Sequence, residues 1–237
     1  MWVTQNTREK TKECIAALKG LLDPKDHGAP VFWVDTPLYY HSNRGLPDYY
    51  RGLFDASDQP FLLHNHPQLI GTMAPPFKRH NIRTAILKEL APLPGMAGMI
   101  FSGTLDRAHH YRRACRRVSG FRIYDGDEAH FLDHPSTSGA VVPGAALAPR
   151  AWAEVTRSSL QLSADQKAYP DHLRQIWELG DYLRHLRERY DPSPVPVIKA
   201  VLAGIGVIEA PRCTVPAPDV TDTSKELVQL MSRFGDA

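Results

Sequence analysis

Short apolar segments alternate along the chain with longer segments in which apolar residues recur every three or four positions. The short segments predict buried strands near Phe32, Leu62, Met99, Ile123 and Val141. The longer segments predict helices over Thr7–Leu22, Leu46–Ala56, Phe77–Leu90 and Leu105–Val118, with another beginning at Pro149. Strands that alternate with amphipathic helices are typical of a parallel sheet built from βαβ units.

The pattern changes after residue 157. Ser163–Tyr190, Val197–Ile205 and Ser224–Phe234 are predicted helices with no strand between them, and prolines punctuate the connections. The sequence contains no glycine-rich dinucleotide or P-loop motif, and polar or glycine-containing loops follow the strands. We therefore predict an α/β protein, with an incomplete (β/α) barrel over residues 1–157 and a C-terminal helical region over residues 158–237.

One stretch, PFLLHNHPQLIG at residues 60–71, stands out because an apolar run stops abruptly at polar residues. Phe61–Leu63 reads as a buried strand, and Pro67 ends its pairing because proline has no N–H to donate. His64 and His66 lie two positions apart, so they share a face of an extended backbone. In a barrel, the catalytic residues lie at this carboxyl end of the strands.

Composition and charge narrow the class of protein. The 237 residues are 43% hydrophobic and 23% charged, with a net charge of +2, so neither nucleic acid nor an anionic membrane surface is expected as a partner. No apolar run is long enough to cross a bilayer. The three cysteines are widely spaced and include no C-x-x-C pair. We therefore expect a cytoplasmic protein without a disulfide framework.

Six segments, in order, resemble the motifs of one enzyme family. They are VDTPLYY at 34–40, HNHP at 64–67, GMIFSGTLDR at 98–107, YDGDE at 124–128, GAVVPGAALAP at 139–149 and PVPVIKA at 194–200. The chain thereby resembles the dihydrodipicolinate synthase / N-acetylneuraminate lyase (DapA-like) family of class I aldolases. The resemblance implies a (β/α)8 barrel followed by helices, assembled as a homo-oligomer, that acts on pyruvate or another small 2-oxo acid without a cofactor.

The family forms a Schiff base between a lysine and its substrate, and this sequence departs from that pattern. Ile100 occupies the lysine position, and an isoleucine has no amine from which an imine could form. His64 replaces the proton-shuttling tyrosine, and Leu69 replaces an arginine that would bind a carboxylate. The segment with the family's threonine pair is absent, so we expect a chain truncated at its N-terminus.

The same resemblance nominates the candidate site. His64 is a chemically reasonable general acid or base, because imidazole titrates near neutrality. Tyr39 corresponds to a family tyrosine near a subunit contact, and Asn65, Gly126 and Val141 lie in segments that match the substrate-binding motifs. We predict catalytic roles for His64 and Tyr39 and substrate binding for the other three.

Two further clusters carry alternatives. A zinc-type site could be built from strand-end residues, namely His41, His64, His66, Asp35, Asp125 and Glu128, although hydrogen-bonded polar residues are the favoured interpretation and we predict no metal. Arg112, Arg113, Arg116 and Arg117 form a basic run on one predicted helix. A solvated helix face is favoured there over a phosphate site.

Three hypotheses about function follow. The first is a degenerate family member without Schiff-base activity, which binds or interacts rather than catalyses. The second is a lyase or aldolase-type enzyme that acts on 2-oxo acids or sugar acids by altered chemistry through His64, with or without a metal. The third is a fragment of a longer gene product, in which Ile100 would still preclude the standard mechanism.

Overall fold

The computed structural model describes residues 1–21, 30–55, 57–73, 79–135, 137–160 and 169–236. The chain divides into two compact units. Unit 1 comprises Met1–Asp127 with Ser136–Ser138, and unit 2 comprises Glu128–Pro135 with Gly139–Ala237. The boundary predicted after residue 157, between an incomplete barrel and a C-terminal helical region, stays a prediction.

Unit 1 contains a sheet of four parallel strands joined by helices. In order across the sheet, the strands are β1 (Trp33–Asp35), β2 (Phe61–Asn65), β3 (Met96–Phe101) and β4 (Arg122–Asp125). The helices are α1 (Arg8–Lys19), α2 (Leu46–Phe54), α3 (Pro67–Met73), α4 (Thr84–Leu90) and α5 (Leu105–Cys115), with a 3-10 turn at Pro37–Tyr39. The predicted α/β class with parallel βα units is confirmed.

The strands are short and apolar because the sheet is covered on its faces. Trp33, Phe61, Leu63 and Met99 are completely buried, and Tyr50 of α2 packs edge-on against Phe61. Both faces of such a parallel strand must be apolar. At the outer side of β1, Trp2 forms a parallel bridge with Val34, so the N-terminal segment pairs with the sheet.

Local signals set where the helices begin. The Thr7 side chain accepts a hydrogen bond from the Lys10 backbone N–H, which caps α1, and Thr104 caps α5 in the same way. Helix α2 follows Gly45, whose φ of 72° suits a residue without a Cβ, and has a proline in its first turn. Residues 22, 56, 77, 78 and 163–168 of the predicted helices lie outside the described residues.

Unit 2 is helical and has its own apolar core around Phe131, Trp152, Leu186 and Val201. Its helices are α6 (Glu128–Asp133), α7 (Pro149–Leu160), α8 (Tyr169–Tyr190), α9 (Pro194–Gly204) and α10 (Thr221–Phe234). None of the described helices in either unit is long and apolar enough to span a bilayer.

The strand predicted near Val141 is reduced to a one-residue β-bridge at Ala140. Val141 is 46% exposed, and the described chain continues into a 3-10 turn at Pro143–Ala146 instead of a strand. Pro143 cannot donate to a ladder. The Gly144 N–H donates to the buried Glu128 carboxyl group (2.6 Å), which holds the segment in the turn.

Candidate functional site

The carboxyl ends of the four parallel strands lie along one edge of the unit 1 sheet. Asp35, Asn65, Phe101 and Asp125 are the last residues of β1 to β4. The register pairs Asp35 with Leu63, Asn65 with Phe101, and Phe101 with Asp125, so the strand ends are nearly level. We call the residues at these ends the carboxyl edge. The sequence predicted that the candidate catalytic residues lie at this edge.

At the β1 end, Asp35 is completely buried and accepts hydrogen bonds from three hydroxyl groups. The Thr4 hydroxyl donates to Oδ1 (2.8 Å), and the hydroxyls of Tyr40 and Tyr50 donate to Oδ2 (2.7 Å each). These donors come from the N-terminal segment, the loop after β1 and helix α2. Asp35 therefore ties three parts of the unit to the end of one strand.

Burial raises the pKa of the Asp35 carboxyl group above its ordinary value, and the hydrogen bonds from Tyr50, Tyr40 and Thr4 oppose that rise. Its negative charge also raises the pKa of Tyr50 and Tyr40, although burial is the larger cause for both. The two phenols are therefore held as hydrogen-bond donors. This arrangement suits a structural anchor rather than a proton-transfer pair.

His64 lies beside this network at the β2 end. Its Nδ1 shares a hydrogen bond with the Thr36 hydroxyl (3.0 Å), and its ring stacks edge-on against Trp2 at 4.7 Å. Burial, and secondly the charge of His66, lower the pKa of His64 to about 4. The imidazole is therefore neutral near pH 7, where it can accept a proton.

His66 and Leu69, which follow His64 along the chain, have other roles. The His66 ring is 5.6 Å from that of His64, and its Nδ1 accepts a hydrogen bond from the Leu69 backbone N–H (3.2 Å) in the first turn of α3. Burial lowers the pKa of His66. The Leu69 side chain is 37% exposed and offers no hydrogen-bonding group to a carboxylate.

Near the β3 end, the side chain at position 100 is apolar. Ile100 is 3% exposed and lies in register between His64 of β2 and Tyr124 of β4. A Cβ atom at Gly126 would lie 3.0 Å from the Ile100 side chain and 2.3 Å from the Ser102 hydroxyl, so these groups fill the space next to the Gly126 backbone. Ser102 Oγ is buried and has no hydrogen-bond partner among the described residues.

Asn65 contributes to a second polar cluster behind the strand ends. Its amide Nδ2 donates to the Tyr111 hydroxyl (3.0 Å) and to Asn81 Oδ1 (3.4 Å), and Tyr111 donates to the Ile82 carbonyl. Asn65 Oδ1 is buried and unpaired within the described part of the chain. The bonds that Asn65 makes join β2 to helix α5 and to the segment before α4.

A small cavity opens beside the β1 end. Its volume is about 190 Å³, and its lining includes the hydroxyl-bearing residues Thr4, Thr36 and Tyr39 together with Trp2 and Leu69. Tyr39, predicted to be catalytic, is thus placed with Thr36, the residue that bonds His64. The predicted substrate-binding residues divide between the units, since Asn65 and Gly126 lie in unit 1 and Val141 in unit 2.

The residues of the predicted zinc-type alternative do not form a ligand cluster. Across the described residues, no three His, Cys, Asp or Glu side chains converge as metal ligands would. Asp35 is occupied by hydroxyl donors, and His41 Nδ1 contacts the Ser42 carbonyl at 2.5 Å. Glu128, in unit 2, accepts hydrogen bonds from the Tyr190 hydroxyl and the Gly144 N–H.

The sequence analysis missed the residues that surround the two strand-end groups. Thr36 stands within the VDTPLYY segment, so its place next to the strand end could have been found from that motif. Thr4, Tyr50 and Tyr111 carry no such signal, because each is brought in by tertiary packing from a separate element. Trp2 carries no local signal for its contact with His64 either.

Comparison with known proteins gives a consistent result. The sequence model of the "Dihydrodipicolinate synthetase family" matches residues 9–233. A 4-hydroxy-tetrahydrodipicolinate synthase from Thiobacillus denitrificans is 27% identical over 206 residues, which are 84% of this chain and 62% of that protein. The chain thus spans 62% of the length of the curated relative it matches.

Two solved structures show the fold. Dihydrodipicolinate synthase from Thermotoga maritima has a TM-score of 0.68 and 19% identity, and the match covers this whole chain and 75% of that one. A prophage protein of the dihydrodipicolinic acid synthase family from E. coli K12, solved with pyruvate, has a TM-score of 0.70 and 17% identity over the whole chain and 74% of its own. The predicted incomplete barrel with C-terminal helices is confirmed.

Proposed function

Because the chain belongs to the dihydrodipicolinate synthetase family, we propose that it is a degenerate member that binds a small 2-oxo acid without forming a Schiff base. The observation that carries this proposal is Ile100 at the end of β3. It is 3% exposed and lies between His64 and Tyr124. A buried isoleucine supplies no nucleophilic amine.

The described lysines of unit 1 support the same conclusion. Lys10, Lys12, Lys19 and Lys88 lie exposed on helices α1 and α4, and Lys19 pairs with Asp58 at 2.7 Å. A Schiff-base lysine works best in a desolvated setting that lowers its pKa, which an exposed helix face does not provide. No described lysine of unit 1 lies on a strand, so none takes over the role of the residue at position 100.

The proposed ligand is inferred from the family and from the cavity beside β1. The hydroxyl groups of Thr4 and Thr36 lie on its wall with Tyr39, next to apolar surface from Trp2 and Leu69. A small cavity with both polar and apolar walls suits a small acid with a short carbon chain. Asn65 and Gly126 at the carboxyl edge, and Val141 in unit 2, stay proposed substrate-binding residues.

The alternative function is an enzyme of altered chemistry on 2-oxo acids or sugar acids. The unprotonated imidazole of His64 favours it, because a general base must be unprotonated at pH 7, although a pKa of about 4 makes His64 a weak base. Its hydrogen bond to Thr36 fixes the ring orientation. In this alternative His64 is the proton-transfer residue, with Tyr39 as the second catalytic residue.

Borohydride reduction in the presence of pyruvate tests the central proposal. The full chain is expected to gain no mass by intact-protein mass spectrometry, whereas a lysine-containing family aldolase treated in parallel gains the reduced adduct. Ile100→Lys is expected not to restore aldolase activity, because His64 and Leu69 also depart from the family pattern. An adduct on the unaltered chain would overturn the proposal.

Turnover separates the two functions. Pyruvate binding, followed by ligand-observed NMR, is expected without release or consumption of pyruvate when N-acetylneuraminate or pyruvate with an aldehyde is supplied. Turnover that His64→Gln abolishes, while a Schiff-base adduct stays absent, would establish the alternative. Absence of pyruvate binding would contradict the proposed ligand.

We further propose that the protein is a cytoplasmic homo-oligomer. Trp2 is 53% exposed and Met1 is 49% exposed at the outer side of β1, where a sheet edge can pair with another chain. None of the three cysteines forms a disulfide, which suits a reducing compartment. Light scattering on the full chain should report a dimer or larger assembly, and a stable monomer would refute this part.

A further inference from the structure

A second cavity lies at the opposite end of the strands from the carboxyl edge. Its volume is about 470 Å³, and it is bounded by the end of helix α5, the α5–β4 loop and the start of β4. Its lining residues include four arginines and a histidine, namely His109, Arg112, Arg113, Arg116 and Arg122. We call this cavity the arginine pocket. None of its lining residues is acidic.

We propose that the arginine pocket binds a small anion that carries several negative charges on phosphate groups. This proposal goes beyond the proposed function, because the pocket adjoins Arg122, the first residue of β4, whereas the carboxyl edge begins at Asp125, the last. The sequence alone favoured a solvated helix face for the basic run. The cavity and the four arginines in its lining change that interpretation.

The spacing of the basic residues on α5 concentrates charge on the pocket. Arg112 and Arg116 are four positions apart, and His109 and Arg113 repeat that spacing, so each pair shares a helix face. Like charges at this spacing repel each other unless a counter-charge is present. None of the four pocket arginines has an ion pair within the part of the chain that the structure describes.

The helix itself supplies only part of the missing negative charge. The C-terminal end of α5 carries a partial charge of about −0.5. That charge is small against four guanidinium groups around one cavity. An anion of high charge density in the pocket would neutralise the remainder.

The chemistry of the side chains points to phosphate. A guanidinium group presents N–H donors in a planar fork that matches phosphate oxygens in a bidentate way. One fork is already positioned, because Arg122 Nη1 donates to the Ser119 carbonyl (2.6 Å) and is thereby tied to the loop that forms the pocket wall. The hydroxyl-bearing residues Ser119 and Ser138 also line the cavity.

The shape of the cavity favours a small molecule over a nucleic acid. Its volume lies within the range of small-molecule sites, roughly 300–1,000 Å³. Nucleic-acid binding usually requires a basic stripe over a larger surface, whereas the whole chain has a net charge of only +2. Four arginines around one cavity form a smaller feature than such a stripe.

Titration of the full chain with inorganic pyrophosphate at low ionic strength tests the proposal. Isothermal calorimetry is expected to show one site per chain. The double variant Arg112→Gln/Arg116→Gln should weaken that affinity by about tenfold or more, because two bidentate contacts are lost. The matched control is Arg117→Gln, which removes an exposed arginine of the same run that does not line the pocket.

The control decides between a built site and a diffuse field. Arg117→Gln is expected to change the affinity by less than about twofold, since Arg117 does not line the pocket and donates no hydrogen bond to an anion bound there. Equal weakening by the control and the double variant would overturn the proposal, as would absence of binding. Tighter binding of a single-stranded oligonucleotide than of pyrophosphate would also overturn it in favour of nucleic acid.

A second variant guards against loss of folding. Arg113→Gln changes one exposed pocket arginine and is expected to weaken pyrophosphate binding while thermal unfolding followed by circular dichroism stays as in the unaltered chain. If the double variant does not fold, the comparison of Arg113→Gln with Arg117→Gln decides the question. Equal affinities in those two variants would overturn the proposal.

Discussion

The ends of β1 and β3 lie on the same edge of one sheet but differ in how their polar groups are satisfied. At the β1 end, Asp35 is completely buried and takes hydrogen bonds from three hydroxyl groups. At the β3 end, Ile100 is apolar, and the buried hydroxyl of Ser102 has no partner within the described residues. The first end is a closed hydrogen-bond network, and the second is packed around an isoleucine.

The contrast separates stability from chemistry at the carboxyl edge. A carboxyl group whose lone pairs are taken by donors from three elements holds the unit together but is not available to a ligand. The β3 end corresponds by resemblance to the position of the family's catalytic lysine. In this chain it contains neither a nucleophile nor a complete hydrogen-bond network. The remaining reactive group near both ends is the neutral His64.

Removing the network at β1 should have the largest effect. Asp35→Ala leaves the Tyr50 hydroxyl buried without an acceptor and disconnects Thr4 and Tyr40. We expect the free energy of unfolding to fall by about 4 kcal/mol. Urea denaturation followed by circular dichroism measures the change.

Asp58→Ala is the matched control for this prediction. Asp58 is also an acidic residue of unit 1, but its side chain is 75% exposed and pairs with Lys19 on the surface. An exposed pair contributes about 0–1 kcal/mol, so the control should be nearly as stable as the unaltered chain. If both alanine variants lost the same stability, the Asp35 network would not be the cause.

His64 should make stability depend on pH. Its pKa is lowered from 6.5 to about 4 in the folded protein, chiefly by burial. As the pH falls from about 6.5 to about 4, the unfolded chain takes up a proton that the folded protein does not, so stability decreases across this window. The shift corresponds to roughly 3 kcal/mol.

Unfolding of the unaltered chain and of His64→Gln should be compared by urea denaturation at about pH 7 and about pH 4. The variant lacks the titrating group, so its stability should fall by roughly 3 kcal/mol less than that of the unaltered chain. His110→Gln, a change on the exposed face of α5, serves as the control and should follow the unaltered chain. Parallel pH profiles for His64→Gln and the unaltered chain would contradict a buried neutral imidazole.

How much of the carboxyl edge the sequence predicted depends on how far apart along the chain the interacting residues lie. The strands and the placement of His64, Asn65 and Asp125 at their ends follow from local patterns: apolar runs, prolines and polar residues at fixed offsets. The partners of Asp35 do not, because Thr4 and Tyr50 lie 31 and 15 residues away along the chain. The strand predicted near Val141 is limited to a bridge at Ala140 for a local reason, since Pro143 and the Gly144 bond to Glu128 favour a turn.

Filling the space beside Gly126 at the β3 end should have a smaller effect on the free energy of unfolding. A Cβ at position 126 would lie 2.3 Å from Ser102 Oγ and 3.0 Å from the Ile100 side chain, so Gly126→Ala forces a neighbour to move. We expect a loss of about 2 kcal/mol in the free energy of unfolding. Gly52→Ala is the control, because a Cβ at that exposed helix position has nothing within 4 Å.

The same clash predicts that positions 102 and 126 are coupled. In a Ser102→Ala background the closest atom to the new Cβ is gone, so Gly126→Ala should lose about 1 kcal/mol less than it does alone. A double-mutant cycle by urea denaturation measures this difference. Strict additivity of the two changes would show that the Ile100 side chain, rather than the Ser102 hydroxyl, limits the space.

The single change Ser102→Ala should have the smallest effect, and its size tests the contrast between the two strand ends directly. Ser102 Oγ is buried without a partner among the described residues, so its removal breaks no hydrogen bond there and relieves the folded protein of an unsatisfied polar group. We expect a change within about 0.5 kcal/mol of zero, or a small gain. Thr4→Val, which removes a hydroxyl that does donate to Asp35, should cost about 1 kcal/mol or more under the same conditions. A loss for Ser102→Ala as large as that for Thr4→Val would mean that the hydroxyl at the β3 end is hydrogen-bonded after all, and that the two ends do not differ in the way described.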